Sequence, residues 1–129
     1  MENQLNAAKR PINLDLIRMK FPPMAIVSIL HRLSGVILFL LIPLMLHLLY
    51  HSLHSQTSFA LVRQSLSEPW MSFFVWMLIS AAGFHLLAGI RHMTMDLGLG
   101  EDLKSAQITA YAVLFLEAVV LVLTGIWLW

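Results

Sequence analysis

His85 lies inside an apolar run, in FHLLAGIRHMTMDLG, six residues before Arg91 ends that run. An ionisable side chain in a lipid span is costly and marks a functional candidate. Imidazole is the commonest protein ligand for metals, haem iron among them. On a helix, His85 shares a face with Gly89 and His92, at i+4 and i+7, and with Ala81 and Leu78 on the other side. Small residues beside an imidazole leave room for a flat ligand. They equally let a second helix approach closely. His85 therefore reads either as an iron ligand or as a polar residue hydrogen-bonded to a neighbouring helix. Arg91 and His92 stand at the polar boundary, as interfacial anchors or as cationic partners for haem propionates.

A second group is Ser28, His31, Arg32 and Gly35. Ser28 and Arg32 are one helical turn apart, with His31 beside them. A hydroxyl and a guanidinium together can hydrogen-bond a carbonyl ligand such as a quinone and stabilise negative charge on it. The plainer alternatives are a snorkelling Arg32 and a Ser28 that only contacts a helix. Glu117 stands mid-run in LFLEAVVLV. Ionised and facing lipid, it would cost about 2.5–3.5 kcal/mol. It is expected to be protonated or to face a partner helix, with a proton pathway as a further reading.

Depth decides which histidines could share an iron. His85 is about 9 Å of helix rise from Arg91, whereas His47 is about 25 Å from its own cytoplasmic end. His47, His51 and His54 therefore read as interfacial polar residues. His31 is on the correct side but shallow, better placed for a propionate or a quinone. If His85 binds haem, the second axial ligand is expected from another subunit.

The elements that position these groups follow from composition. The chain has 129 residues, is 59% hydrophobic and 12% charged, and has a mean hydropathy of +0.79. Soluble domains are about 25% charged. The expected class is an all-α membrane protein of one domain, 1–129, with three transmembrane helices in an antiparallel bundle over about 23–53, 69–95 and 106–129. Pro23 suits a first helical turn, and Pro43 is expected to kink the first span. Residues 54–69 read as a loop in which SFALVRQSL could form a short interfacial helix. Ser67 is expected to cap the second span and Ser105 the third, while Gly98 and Gly100 end the second. Trp127 and Trp129 suit an aromatic belt.

The chain has no cysteine, so no disulfide, iron–sulfur cluster or thiolate zinc site can be built on it. Its net charge of +1 argues against nucleic acid as a partner. The charged, proline-containing first 22 residues read as a cytoplasmic segment, with neither a secretory leader nor a transit peptide. A bacterial chain used as translated is the simpler expectation. Lys9, Arg10, Arg18, Lys20, Arg32, Arg91 and Lys104 fall on one side of three spans and Arg63 on the other. That split predicts a cytoplasmic N-terminus and a cytoplasmic 93–105 loop.

Together these residues resemble a known family, the cytochrome b556 subunit of bacterial succinate dehydrogenase, the larger of two membrane anchors. The first motif is Arg10, Pro11, then Ser28, His31, Arg32 and Ser34. The second is His85, Gly89, Ile90, Arg91, His92, Asp96 and Gly98. The resemblance implies that His85 is one axial ligand of a haem b shared with the smaller hydrophobic anchor subunit. It implies that Ser28 and Arg32 line the ubiquinone pocket near the iron–sulfur subunit, and that His31, Arg32 and His92 lie near the haem propionates. Asp96 belongs to the motif as an intersubunit, helix-end or proton-delivery residue. A flavoprotein subunit would oxidise succinate in the tricarboxylic acid cycle, since this chain offers no succinate-oxidising site, and electrons would reach ubiquinone at the bacterial inner membrane. The rival readings are a structural anchor without haem and a small proton-coupled transporter built on Glu117.

Overall fold

The structure, a computed structural model, describes residues 20–129. Arg10 and Pro11 of the first motif, and most of the expected N-terminal segment, lie outside the described residues. Four helices follow one another: α1 (Pro23–His54), α2 (Gln56–Ser65), α3 (Pro69–Asp96) and α4 (Leu103–Leu128). Helices α1, α3 and α4 are long and apolar enough to cross a membrane. A hydrocarbon core forces backbone polar groups to pair within each segment, which selects helices. Each long helix packs on the other two, giving the three-span antiparallel bundle expected from the sequence.

Small side chains bring these helices together. In lipid, helix association rests on close packing and interhelical hydrogen bonds rather than on exclusion of water. The buried stripe of α3 includes Ala81, Phe84, Ala88 and Arg91, and that of α4 is Ala106, Ala110, Val113 and Glu117. Both repeat at three- and four-residue steps, the spacing that keeps one helical face on a neighbour. On α1 the stripe is Val27, Ser34 and Leu41, each seven residues from the next. Val27, Phe84, Ala88, Ala110 and Val113 form the common core.

Two side chains strap α3 to α4 near opposite ends. The Trp76 indole N–H donates to the Leu121 carbonyl at 3.1 Å. At the other end, Arg91 donates through Nε to Thr109 Oγ1 at 3.1 Å and through Nη2 to the Ala106 carbonyl at 3.0 Å. Arg91 is buried. Its guanidinium holds the bundle together, in neither of the ways read from the sequence.

The helix ends are specified locally, and two N-caps differ from the sequence reading. Asp102, not Ser105, caps α4: its carboxylate accepts from the Ser105 backbone N–H at 3.0 Å. This starts α4 at Leu103, three residues earlier than expected. Glu68, not Ser67, holds the N-cap position of α3, with Pro69 next and no side-chain capping bond. Within the 54–69 connection the short helix offered by SFALVRQSL forms as α2, starting two residues earlier at Gln56 and opened by a reciprocal capping box between Ser55 and Ser58. Pro43 lies within a continuous α1. The end of α3 follows the glycine expectation: Gly98 has φ +79°, the Gly98 N–H bonds the Met95 carbonyl, and the Leu99 N–H bonds the Thr94 carbonyl. This is the Schellman arrangement, which favours glycine at its left-handed position.

Hydrogen bonding from the Ser105 hydroxyl and then its backbone N–H holds the Asp102 carboxyl below its ordinary value of 3.8. A lowered carboxylate stabilises in full above the ordinary value, and that contribution is lost as pH falls through the lowered one. Hydrogen exchange at the Ser105 amide is therefore expected to be slow at neutral pH and to quicken in Asp102→Ala. Asp102→Asn is expected to retain most of the protection.

Candidate functional site

His85, on the middle of α3, faces α1 and meets it through hydrogen bonds rather than apolar contact alone. Its Nδ1 lies 3.0 Å from Ser34 Oγ and 3.2 Å from the His31 carbonyl. Ser34 has one hydroxyl proton, and Oγ donates it to the His31 carbonyl at 2.8 Å. A carbonyl cannot donate. With the proton on Nδ1, shared between Ser34 Oγ and the His31 carbonyl, every one of these contacts pairs a donor with an acceptor. That leaves Nε2 as the basic nitrogen, with a lone pair for a metal. A backbone carbonyl on Nδ1–H is the usual outer partner of a metal-bound imidazole; it fixes ring orientation and raises basicity.

Glycines make room for this arrangement. A Cβ on Gly35 would stand 3.1 Å from His85 Cε1, so α1 can approach the ring only where it carries no side chain. The His31 ring stacks on His85 with centroids 4.2 Å apart, and on His92 at 5.0 Å. His31 thus lies between the other two, seated over Gly89, where a Cβ would come within 3.5 Å of His31 Nε2. His92 bonds the Ala88 carbonyl through Nδ1 at 2.9 Å. His31 Nε2 is buried and has no hydrogen-bond partner among the described residues.

The structure thus brings His31, His85 and His92 into one stack, with Ser34 as its hinge to α1. Helix spacing places Ser28 and Arg32 within one turn of His31. Ser28 is half-buried and Arg32 exposed. Ser34 carried no role in the sequence reading. Its signal was there, three residues after His31 on a common helical face, but a serine at that spacing is common wherever helices pack. His47, His51 and His54 stay apart. His47 is about 20 Å of helix rise from Ser34, at the end of α1 where the His47 and His51 rings meet edge-on with centroids 4.5 Å apart. Asp96 is exposed at the end of α3.

The donor set fits a haem. One imidazole offers a free Nε2 at a half-buried position. Two further imidazoles stack beside it, the exposed Arg32 follows His31 along α1, and Gly35 and Gly89 flank the stack. Gly35→Val is expected to force the His85 ring off the Ser34 and His31 acceptors. The measurement is the optical spectrum of the purified membrane complex, where any b-type band is expected to weaken or shift while Ala112→Val, on the exposed face of α4, leaves it unchanged.

The family described as succinate dehydrogenase/fumarate reductase transmembrane subunit matches residues 6–124. The chain is 49% identical over 123 residues to the succinate dehydrogenase cytochrome b556 subunit of Coxiella burnetii, covering 95% of this chain and 98% of that one. It is 31% identical to the subunit of the same name from Paracoccus denitrificans, over 93% of this chain and 92% of that one. The Rickettsia typhi counterpart is 30% identical over 81% of this chain and 82% of its own. This chain belongs to the transmembrane subunit family of succinate dehydrogenase and fumarate reductase.

Proposed function

We propose that this chain supplies one axial ligand of a b-type haem and part of a ubiquinone-reduction site in a succinate dehydrogenase complex. The observation that carries the haem reading is the pair of contacts that tie His85 Nδ1 to Ser34 Oγ and the His31 carbonyl on α1; with the proton there, Nε2 remains for iron. When bound, the haem supplies a one-electron redox centre within the membrane. The residues of this chain do the rest. Ser34 and the His31 carbonyl orient His85. His31, through its unpartnered Nε2, together with His92 and Arg32, is suited to receive propionate carboxylates by charge-assisted hydrogen bonds.

Among the described residues His31 meets His85 face to face, with ring centroids 4.2 Å apart, rather than as a second ligand across a metal. The second ligand is assigned to the smaller membrane-anchor subunit. Ser28 and Arg32 are assigned to the quinone. The Ser28 hydroxyl would hydrogen-bond one ring carbonyl, and the Arg32 guanidinium would stabilise negative charge as electrons arrive from the iron–sulfur subunit. Ubiquinone reduction takes up two electrons and two protons. The flavoprotein subunit removes the electrons from succinate. The seven-to-one distribution of basic residues supports a cytoplasmic N-terminus in the bacterial inner membrane.

His85→Ala is expected to abolish or strongly weaken the reduced b-type absorbance of the complex; an unchanged spectrum overturns the ligand assignment. Arg32→Leu is expected to lower succinate:quinone reductase activity roughly ten-fold or more, the worth of a hydrogen bond to a charged group. Ser28→Ala is expected to lower it several-fold. Dye-linked succinate oxidation should survive in both. Equal loss of the two activities would assign these residues to assembly instead.

A further inference from the structure

A groove of about 290 Å³ lies between α1 and α4 over the inner face of α3. Leu33, Ile37, Trp76 and Phe84 give it apolar walls, and Ser80 and Glu117 line it as well. Each of these two polar residues is only 8% exposed. Ser80 Oγ and Glu117 Oε2 have no hydrogen-bond partner among the described residues. A buried polar group left unmet costs about 1–3 kcal/mol, and more in lipid, where water is not at hand. Glu117 Oε2 lies against α3, where a Cβ on Gly83 would come within 3.4 Å. The carboxyl is therefore held inside the bundle rather than turned toward a headgroup.

Depth and size select the occupant. Glu117 is about 21 Å of helix rise from the start of α4 and about 17 Å from its end. That is near the middle of a hydrocarbon core about 30 Å thick, beyond the reach of a phosphate headgroup. A charged ligand is costly at that depth. The volume is at the small end of the roughly 300–1,000 Å³ of small-molecule pockets, enough for a ring-sized head whose tail extends into lipid. A helix about 10 Å across does not fit between α1 and α4, which touch each other.

We propose that this groove binds a neutral, lipid-soluble molecule through a carbonyl or hydroxyl oxygen, hydrogen-bonded by Ser80 and by Glu117 as an uncharged carboxylic acid. The same chemistry is offered by a quinone or quinol and by a neutral acylglycerol. The groove reaches Ser34, which orients His85, but neither Ser28 nor Arg32 lines it, so the proposal does not depend on their assignment.

The test uses the intact complex in liposomes and dicyclohexylcarbodiimide, which adds to protonated carboxyl groups in apolar surroundings. The adduct is read on Glu117 by mass spectrometry. Glu117 is expected to label. Decylubiquinone or dioctanoylglycerol is expected to slow that labelling roughly five-fold or more, about the worth of one net hydrogen bond, and the protecting compound identifies the source. Decylbenzene, with the same tail and no oxygen, is expected to leave labelling unchanged. Ser80→Ala should raise the protecting concentration several-fold in a complex that keeps its subunits, and Ser28→Ala should not. Three results overturn the proposal: no labelling of Glu117 in the intact complex, which assigns the groove to a side chain of a partner subunit; protection by decylbenzene equal to that by the oxygenated compounds; or protection by neither oxygenated compound.

Discussion

The bond from His85 Nδ1–H to Ser34 Oγ and the His31 carbonyl is the constraint on which the rest of this site depends. It joins α3 to α1 at mid-membrane, where an unmet imidazole N–H would be costly. It also bears on chemistry, because a proton held at Nδ1 leaves the Nε2 lone pair for a metal. The neighbouring features serve that bond. Gly35 lets the ring approach, Ser34 is buried in the α1 stripe, and His31 lies flat over Gly89 against both other rings.

Polar groups elsewhere in the bundle obey the same rule. Arg91 and Trp76 each find a carbonyl on α4, so α3 is strapped at both ends and held against rotation. A rotation of α3 would carry His85 away from α1, so the straps contribute to the site without touching it. Ser80 and Glu117, between the straps, break the rule. Among the described residues the only other such atom is His31 Nε2, so two of the three meet on one groove, and that is what makes the groove informative.

Much of this was legible in the residues. Three apolar runs of membrane-spanning length, proline at both early helical turns and glycine after Asp96 specified α1, α3 and α4 to within a few residues. The depth argument that separated His47 from His85 holds, because helix rise per residue is nearly invariant. The Ser67 and Ser105 caps were misplaced because several capping residues stand close together, and backbone geometry rather than residue type chooses between them. Arg91 was read as facing the interface or a ligand because its sequence neighbours are polar. Its partners, Thr109 and the Ala106 carbonyl, lie on another helix and leave no trace at that spacing. Ser34 and the stacking of His31 were hidden for the same reason: rotation of α1 about its own axis is a tertiary property.

The central claim is that His85 presents Nε2 to haem iron from a pocket shaped by α1. The most direct test is His85→Gly in the assembled complex, followed by free imidazole and low-temperature electron paramagnetic resonance of the ferric haem. The low-spin signal should be lost or replaced in the variant and restored when imidazole fills the vacated volume beside Ser34. A low-spin signal that persists in His85→Gly without imidazole would contradict the account.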